Sequence, residues 1–216
     1  MAETAIIVGA GSGLSAALAR LFHKEGMRVA LAARNPGKLA DLCTETNAKA
    51  YACDAGKPDD VAALFASVAA DIGSPDLVVY NASGRARGPI AEIDPGDVMK
   101  AITIGCYGGF LVGQQAAKAM LKTGKGSILF TGASASVKGF KLSAAFAMGK
   151  FGLRGLTQSM ARELAPQNIH VAHFVIDGGI GRAGDPRANE RGPDGLLDPD
   201  AIAATYLQIH RPATRP

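Results

Sequence analysis

The chain has 216 residues, 48% of them apolar, with 27 glycines and no tryptophan, which suits one sizeable core of small-residue helices packed closely on a sheet. Its formal charge of +4 is spread along the sequence with no basic run, which argues against a nucleic-acid surface and is compatible with an anionic small ligand. Cys43, Cys53 and Cys106 have no metal-ligand spacing and would leave one thiol over from any pairing, so no metal is expected and a reducing, cytoplasmic setting fits.

Thr4 to Val8 is short, apolar and β-branched, as a strand buried on both faces should be, and is far too short for a signal h-region or a membrane span. Leu14, Ala17, Leu18, Leu21 and Phe22 recur at helical spacing until Gly26, and Met27 to Ala33 reads as the second strand. A helix opening near Pro36, a strand over Ala48 to Cys53 and a helix carrying Val61, Leu64, Phe65, Val68 and Ile72 on one face come next. Asp76 to Tyr80 is the fourth strand. A long helix from about Asp97 to Leu121, a strand Ser127 to Thr131, a helix from about Ser143 to Leu164 and a strand Ile169 to Ile176 complete the alternation. Six strands separated by helices predict one α/β domain over residues 1–216, built on a doubly wound parallel sheet with its crevice at the carboxyl ends of the strands. Residues 181–197, rich in Gly, Pro and charge, are either a lid or a disordered loop, and a last helix spans about Pro199 to Ile209.

Gly9-Ala10-Gly11-Ser12-Gly13 falls between the first strand and the first helix, where helix-terminal amides and the helix dipole can face a pyrophosphate. An acidic residue that would hold an NAD ribose should end the second strand, yet that end reads Ala32-Ala33-Arg34. A guanidinium there can fork onto a 2′-phosphate, which favours NADP over NAD; the alternative is a solvated surface arginine.

Several blocks together resemble the short-chain dehydrogenase/reductase family over nearly the whole chain. Gly9-x-x-x-Gly13-x-Ser15 is similar to the family's glycine turn, and Asp54 matches its adenine-contacting Asp. Asn81-Ala82-Ser83-Gly84 resembles its Asn-Ala-Gly block, Lys150 lies on the expected helix, and Asp177-Gly178 stands where the family has Pro-Gly. The resemblance implies a Rossmann-like fold and hydride transfer between a nicotinamide and a carbonyl or alcohol. It also implies a Tyr as proton donor, a Lys lowering its pKa, a Ser orienting the carbonyl and an Asn supporting a water relay. Three of those four places depart: the Tyr place reads Phe146, the Ser place Ala133 and the Asn place Gly105. Phe cannot donate a proton, so the family's general acid step cannot run through position 146.

The residues expected at the cofactor are therefore Gly9, Gly11, Ser12, Gly13, Leu14, Arg34, Asp54, Asn81, Ala82, Ser83, Lys150 and Gly178. The chemistry is expected near Lys150 and Phe146. Ser134, one residue past the Ser place, either orients a carbonyl or is a turn hydroxyl; for Ser136 the turn role is favoured, and Ser143 reads as a helix N-cap. Tyr107 suits core or interface packing, His173 suits a satisfied core position, and His170 an exposed one. The expected function is an NADP(H)-dependent oxidoreductase acting on a small molecule with a non-standard proton donor. The alternative is a catalytically lapsed NADP(H)-binding regulatory or scaffold protein, since fold alone does not fix function. Homodimers or homotetramers through the two long helices are implied by the resemblance, and the family's seventh strand is not evident in the last residues.

Overall fold

The computed structural model describes residues 2–182, 184–187 and 195–211. Strand and helix alternate as β1 (Thr4–Val8), α1 (Leu14–Lys24), β2 (Arg28–Ala33), α2 (Ala40–Thr46), β3 (Lys49–Ala52), α3 (Pro58–Asp71) and β4 (Leu77–Tyr80). They continue as α4 (Pro95–Ile102), α5 (Gly108–Thr123), β5 (Gly126–Thr131), α6 (Ala144–Leu164), β6 (Ile169–Phe174) and α7 (Pro199–His210). The six strands pair in parallel in the order β3-β2-β1-β4-β5-β6, the expected doubly wound, Rossmann-like sheet.

The placement follows from the side chains. β1 has no polar alternation, so it is stable only where both faces are covered, and it lies between β2 and β4 with all five residues buried. Ala5 and Ile7 point into a layer with Leu18, Phe22 and Tyr206 from α1 and α7. Ile6 and Val8 point the other way, into a layer with Val61, Val112 and Leu153 from α3, α5 and α6. Tyr206 is fully buried, stacked on Phe174 at 3.7 Å between ring centroids and hydrogen-bonded to the Thr131 hydroxyl at 2.8 Å, which fixes α7 against the last strands.

Two predicted elements differ from those observed. β6 stops at Phe174, short of Ile176, because its partner β5 ends at Thr131 and turns away; the Ser134 amide still bonds the Ile176 carbonyl at 2.9 Å, but no ladder continues. The single long helix expected from Asp97 starts earlier and is divided. Asp94 caps α4 by accepting from the Asp97 amide at 2.9 Å, with Pro95 in the first turn. A π-helical turn, Thr103–Tyr107, then separates α4 from α5, with the Gly108 amide bonding the Thr103 carbonyl. This turn releases the Ile104 carbonyl, which accepts a 2.5 Å hydrogen bond from the buried Tyr80 hydroxyl on β4. Gly105 lies against α6 at Gly149, where an added Cβ would come within 3.3 Å of the Gly149 Cα.

No helix among the described residues is long and apolar enough to cross a membrane. Of the segment 181–197, residues 183 and 188–194 lie outside the described residues, as does the 212–216 tail. The base of that segment is closed by an Ile180 to Leu197 bridge, with Gly181 donating to the Leu197 carbonyl at 2.9 Å.

Candidate functional site

The chain runs outward from β1 to β3, then returns to β4 on the other side of β1, so the loops after β1 and β4 diverge and leave a crevice at the carboxyl edge. A cleft of about 1340 Å³ opens there. Gly9 leaves β1 with φ +85°, its amide and that of Ala10 bonded to the Ala32 carbonyl at 3.0 and 2.9 Å. A chain of side-chain bonds ties this turn to β4: Asn81 Nδ2 donates to Ser15 Oγ at 2.7 Å, and Ser15 Oγ donates to the Gly9 carbonyl at 3.1 Å. Gly11 and Gly13 have only open space where a Cβ would point. α1 has no acidic residue in its first turn and no side-chain cap at Gly13, so no side chain of its own occupies its N-terminal amides.

Gly9, Gly11, Ser12, Arg34, Asp54, Asn81, Ala82 and Ser83 line this cleft, and Gly13 does not. Leu14 is buried beneath the turn. Lys38, which sequence reasoning passed over, joins the lining from the short helix that follows Arg34; its signal was a second cation in the helix that opens at Pro36. Asp54 spends one carboxylate oxygen on the Gly56 amide at 3.0 Å, a local turn that points the rest of the group toward the cleft. Gly178 lies elsewhere, against Leu197, and is not part of the cleft wall.

Phe146 and Lys150 belong to a separate cluster and are not among the residues that line the cleft. Phe146 and Lys150 are one turn apart on α6, with Lys150 Nζ 5.9 Å from the Phe146 ring centroid. Lys150 is only 3% exposed and donates to the Thr131 carbonyl at 2.7 Å. Burial, with the nearby Arg85 charge adding to it, pushes its pKa down to about 8. Ser136 is fully buried, accepting from the Ala133 amide at 3.1 Å and lying 3.3 Å from His173 Nε2, so it is a turn former. His173 is held neutral near pH 7, its pKa lowered to about 4 by burial and by the charges of Lys150 and Arg154, which suits a satisfied core histidine. Ser134 is half-buried beside them. Ser143 occupies the N-cap position of α6 without a side-chain capping bond. Tyr107 is 43% exposed and stacks on Phe110, which places it on the surface and not in the core; His170 is exposed as expected.

Arg85 was not foreseen. It lines the cleft, and its Cζ sits 4.3 Å from the Phe146 ring centroid. The available signal was a guanidinium placed directly after Asn81-Ala82-Ser83-Gly84 at the carboxyl end of a central strand.

A family model described as short chain dehydrogenase matches residues 3–180. (+)-Borneol dehydrogenase 1 of Salvia officinalis is 32% identical over 225 residues, covering 95% of this chain and 86% of that protein. A short-chain dehydrogenase from Rhodopseudomonas palustris superposes with a TM-score of 0.83 at 35% identity, over 99% of this chain and 92% of that one. A variant of actinorhodin polyketide ketoreductase solved with NADPH superposes with a TM-score of 0.89 at 26% identity, over 98% and 91% of the two chains.

Proposed function

This chain belongs to the short-chain dehydrogenase family, and from that premise we propose that it is an NADP(H)-dependent oxidoreductase. It moves a hydride to or from a small carbonyl or alcohol and takes its proton from a group other than a tyrosine hydroxyl. The observation that carries the reading is the cleft itself: a glycine turn with uncapped helix-terminal amides at one wall, and Arg34 with Lys38 beyond the end of β2. Two cations without a carboxylate at that strand end suit a 2′-phosphate and disfavour the bare ribose of NAD. The NADPH of the actinorhodin ketoreductase supports the same choice.

In this reading Gly9, Gly11, Ser12, Gly13 and Leu14 hold the pyrophosphate, Arg34 the 2′-phosphate and Asp54 the adenine. Asn81, Ala82 and Ser83 flank the remainder, and Lys150 meets the nicotinamide ribose. Holding nicotinamide and substrate in near-attack geometry accelerates hydride transfer without a protein acid. Water, the substrate or Ser134 supplies the proton. The exposed apolar side chains of α5 and α6, among them Phe110, Met148 and Phe151, suit a homodimer or homotetramer in the cytoplasm.

The test is a fluorescence titration with NADPH and NADH, followed by cofactor oxidation against ketones, aldehydes, imines and activated alkenes. NADPH is expected to bind more tightly. Arg34→Glu is expected to weaken NADPH binding by about 10- to 100-fold, the loss of one charge-assisted phosphate contact, and to narrow or invert the preference. A native preference for NADH would overturn the use made of Arg34.

Phe146 favours a second reading, an NADP(H)-binding regulatory or scaffold protein that has lost its chemistry. The native protein is expected to oxidise NADPH with at least one of the carbonyl substrates, and Phe146→Tyr to alter that rate within the roughly 10²- to 10⁴-fold range of general acid catalysis. Turnover confined to the Phe146→Tyr variant would establish the second reading instead.

A further inference from the structure

We propose that Arg85 is the substrate-recognition residue of this site and that it grips a carboxylate, so that the preferred substrates are oxo acids. The proposal rests on the oxidoreductase reading above and deepens it. Its basis is the stack of the Arg85 guanidinium on Phe146, with Cζ 4.3 Å from the ring centroid, at the place where the family's tyrosine would stand.

A guanidinium laid on an aromatic ring uses its face for that contact and keeps its N–H edges in the plane of the stack. Those edges form a fork whose spacing matches the two oxygens of a carboxylate. Arg85 is exposed, lines the cleft and has no salt-bridge partner among the described residues, whereas Lys100 farther along the same wall is paired with Asp97 at 2.9 Å. The loop that carries Arg85 is held on both sides. Gly84 passes so close to α4 that a Cβ there would lie 2.5 Å from the Ala101 carbonyl oxygen, and the Gly88 amide bonds the Leu142 carbonyl at 3.3 Å. Lys150 adds a second positive charge, 5.9 Å from the same ring centroid. Phe146 thus has two cations close to its ring, with no ion-pair carboxylate on either among the described residues, and an anionic substrate group supplies the missing charge.

The probes are pyruvate, acetoacetate and 4-oxopentanoate, each with its methyl ester, which keeps the carbonyl and removes the charge. Calorimetric titration into the NADP-loaded protein is expected to show at least one acid binding about tenfold or more tightly than its ester. In Arg85→Gln that gap closes and KM for the acid rises more than kcat falls, while NADPH affinity stays at the native value and reports an intact fold. Arg85→Lys, with charge but no fork, is expected to recover part of the gap. Acids and esters binding alike, or a gap that persists in Arg85→Gln, would overturn the proposal. If NADPH itself fails to bind, the oxidoreductase reading falls, and the same acid and ester titrations on the cofactor-free protein still decide the role of Arg85.

Discussion

Gly9→Val is expected to abolish NADPH binding and to lower the unfolding free energy by about 3–5 kcal/mol, among the larger effects a single substitution produces. Two independent causes act at this residue. Its φ of +85° is a conformation that a β-branched side chain adopts only at a cost of about 1–3 kcal/mol. An added Cβ would also lie 2.4 Å from the Ala82 amide nitrogen and 2.6 Å from the Ala82 Cα. Those are backbone atoms at the exit of β4, so relief requires β1 and β4 to separate where the crevice begins. Separation also stretches the links from Asn81 to Ser15 and from Ser15 to Gly9, which hold the turn in its binding shape. Urea unfolding and NADPH titration measure the two losses. Gly11→Ala is the control that separates them, because its Cβ meets nothing within 4 Å and would project toward the space assigned to the pyrophosphate. Near-native stability with weakened NADPH binding is expected there. If Gly9→Val were as stable as the native chain, the close approach to Ala82 would not constrain the fold.

The parts of the site that were legible in the sequence are those set by neighbours along the chain. Gly9 to Gly13 follows a buried strand and opens a helix, and Arg34 ends the next strand, so their positions in the crevice follow from one βαβ unit. The division of the long helix was not legible, because its cause lies in other segments. The Tyr80 hydroxyl reaches the Ile104 carbonyl from β4, and the Gly105 to Gly149 contact comes from α6. Hydrophobic periodicity reports only that residues from about 97 to 121 are helical and amphipathic, not that five of them are wound more loosely. The same limit explains Arg85. The sequence showed that Phe146 could not act as an acid, but that its ring would carry a guanidinium from the loop after β4 depends on how α4, α6 and that loop meet. Lys150 was legible by position and not by environment: its burial and its bond to the Thr131 carbonyl follow from the packing of α6 on β5.

That environment makes protein stability depend on pH in an uncommon window. Lys150 has a folded pKa of about 8 against an ordinary value of 10.5, because its charged form is desolvated and lies near Arg85. Between those two values the unfolded chain binds a proton that the folded chain has released, so the contribution of Lys150 to stability rises with pH. The shift corresponds to about 3 kcal/mol across the window, and below about pH 8 the folded protein carries the cost of the buried ammonium in full. Lys150→Met removes both that cost and the hydrogen bond to the Thr131 carbonyl. It is therefore expected to match or exceed the native stability at pH 7 and to fall below it near pH 10, where the native amine is neutral and still donates. Urea unfolding of both proteins from pH 7 to 10 measures this, since the thiols and phenols that also titrate there are common to the two chains. Parallel curves would show that Lys150 is not the source. An anion held by Arg85 changes the same balance in a definite direction, because a negative charge near the ammonium raises its pKa again. An oxo acid binding at pH 8 to 8.5 should then draw a proton onto the native protein. The calorimetric heat in buffers of different ionisation enthalpy detects that proton, and Lys150→Met should bind the acid without it.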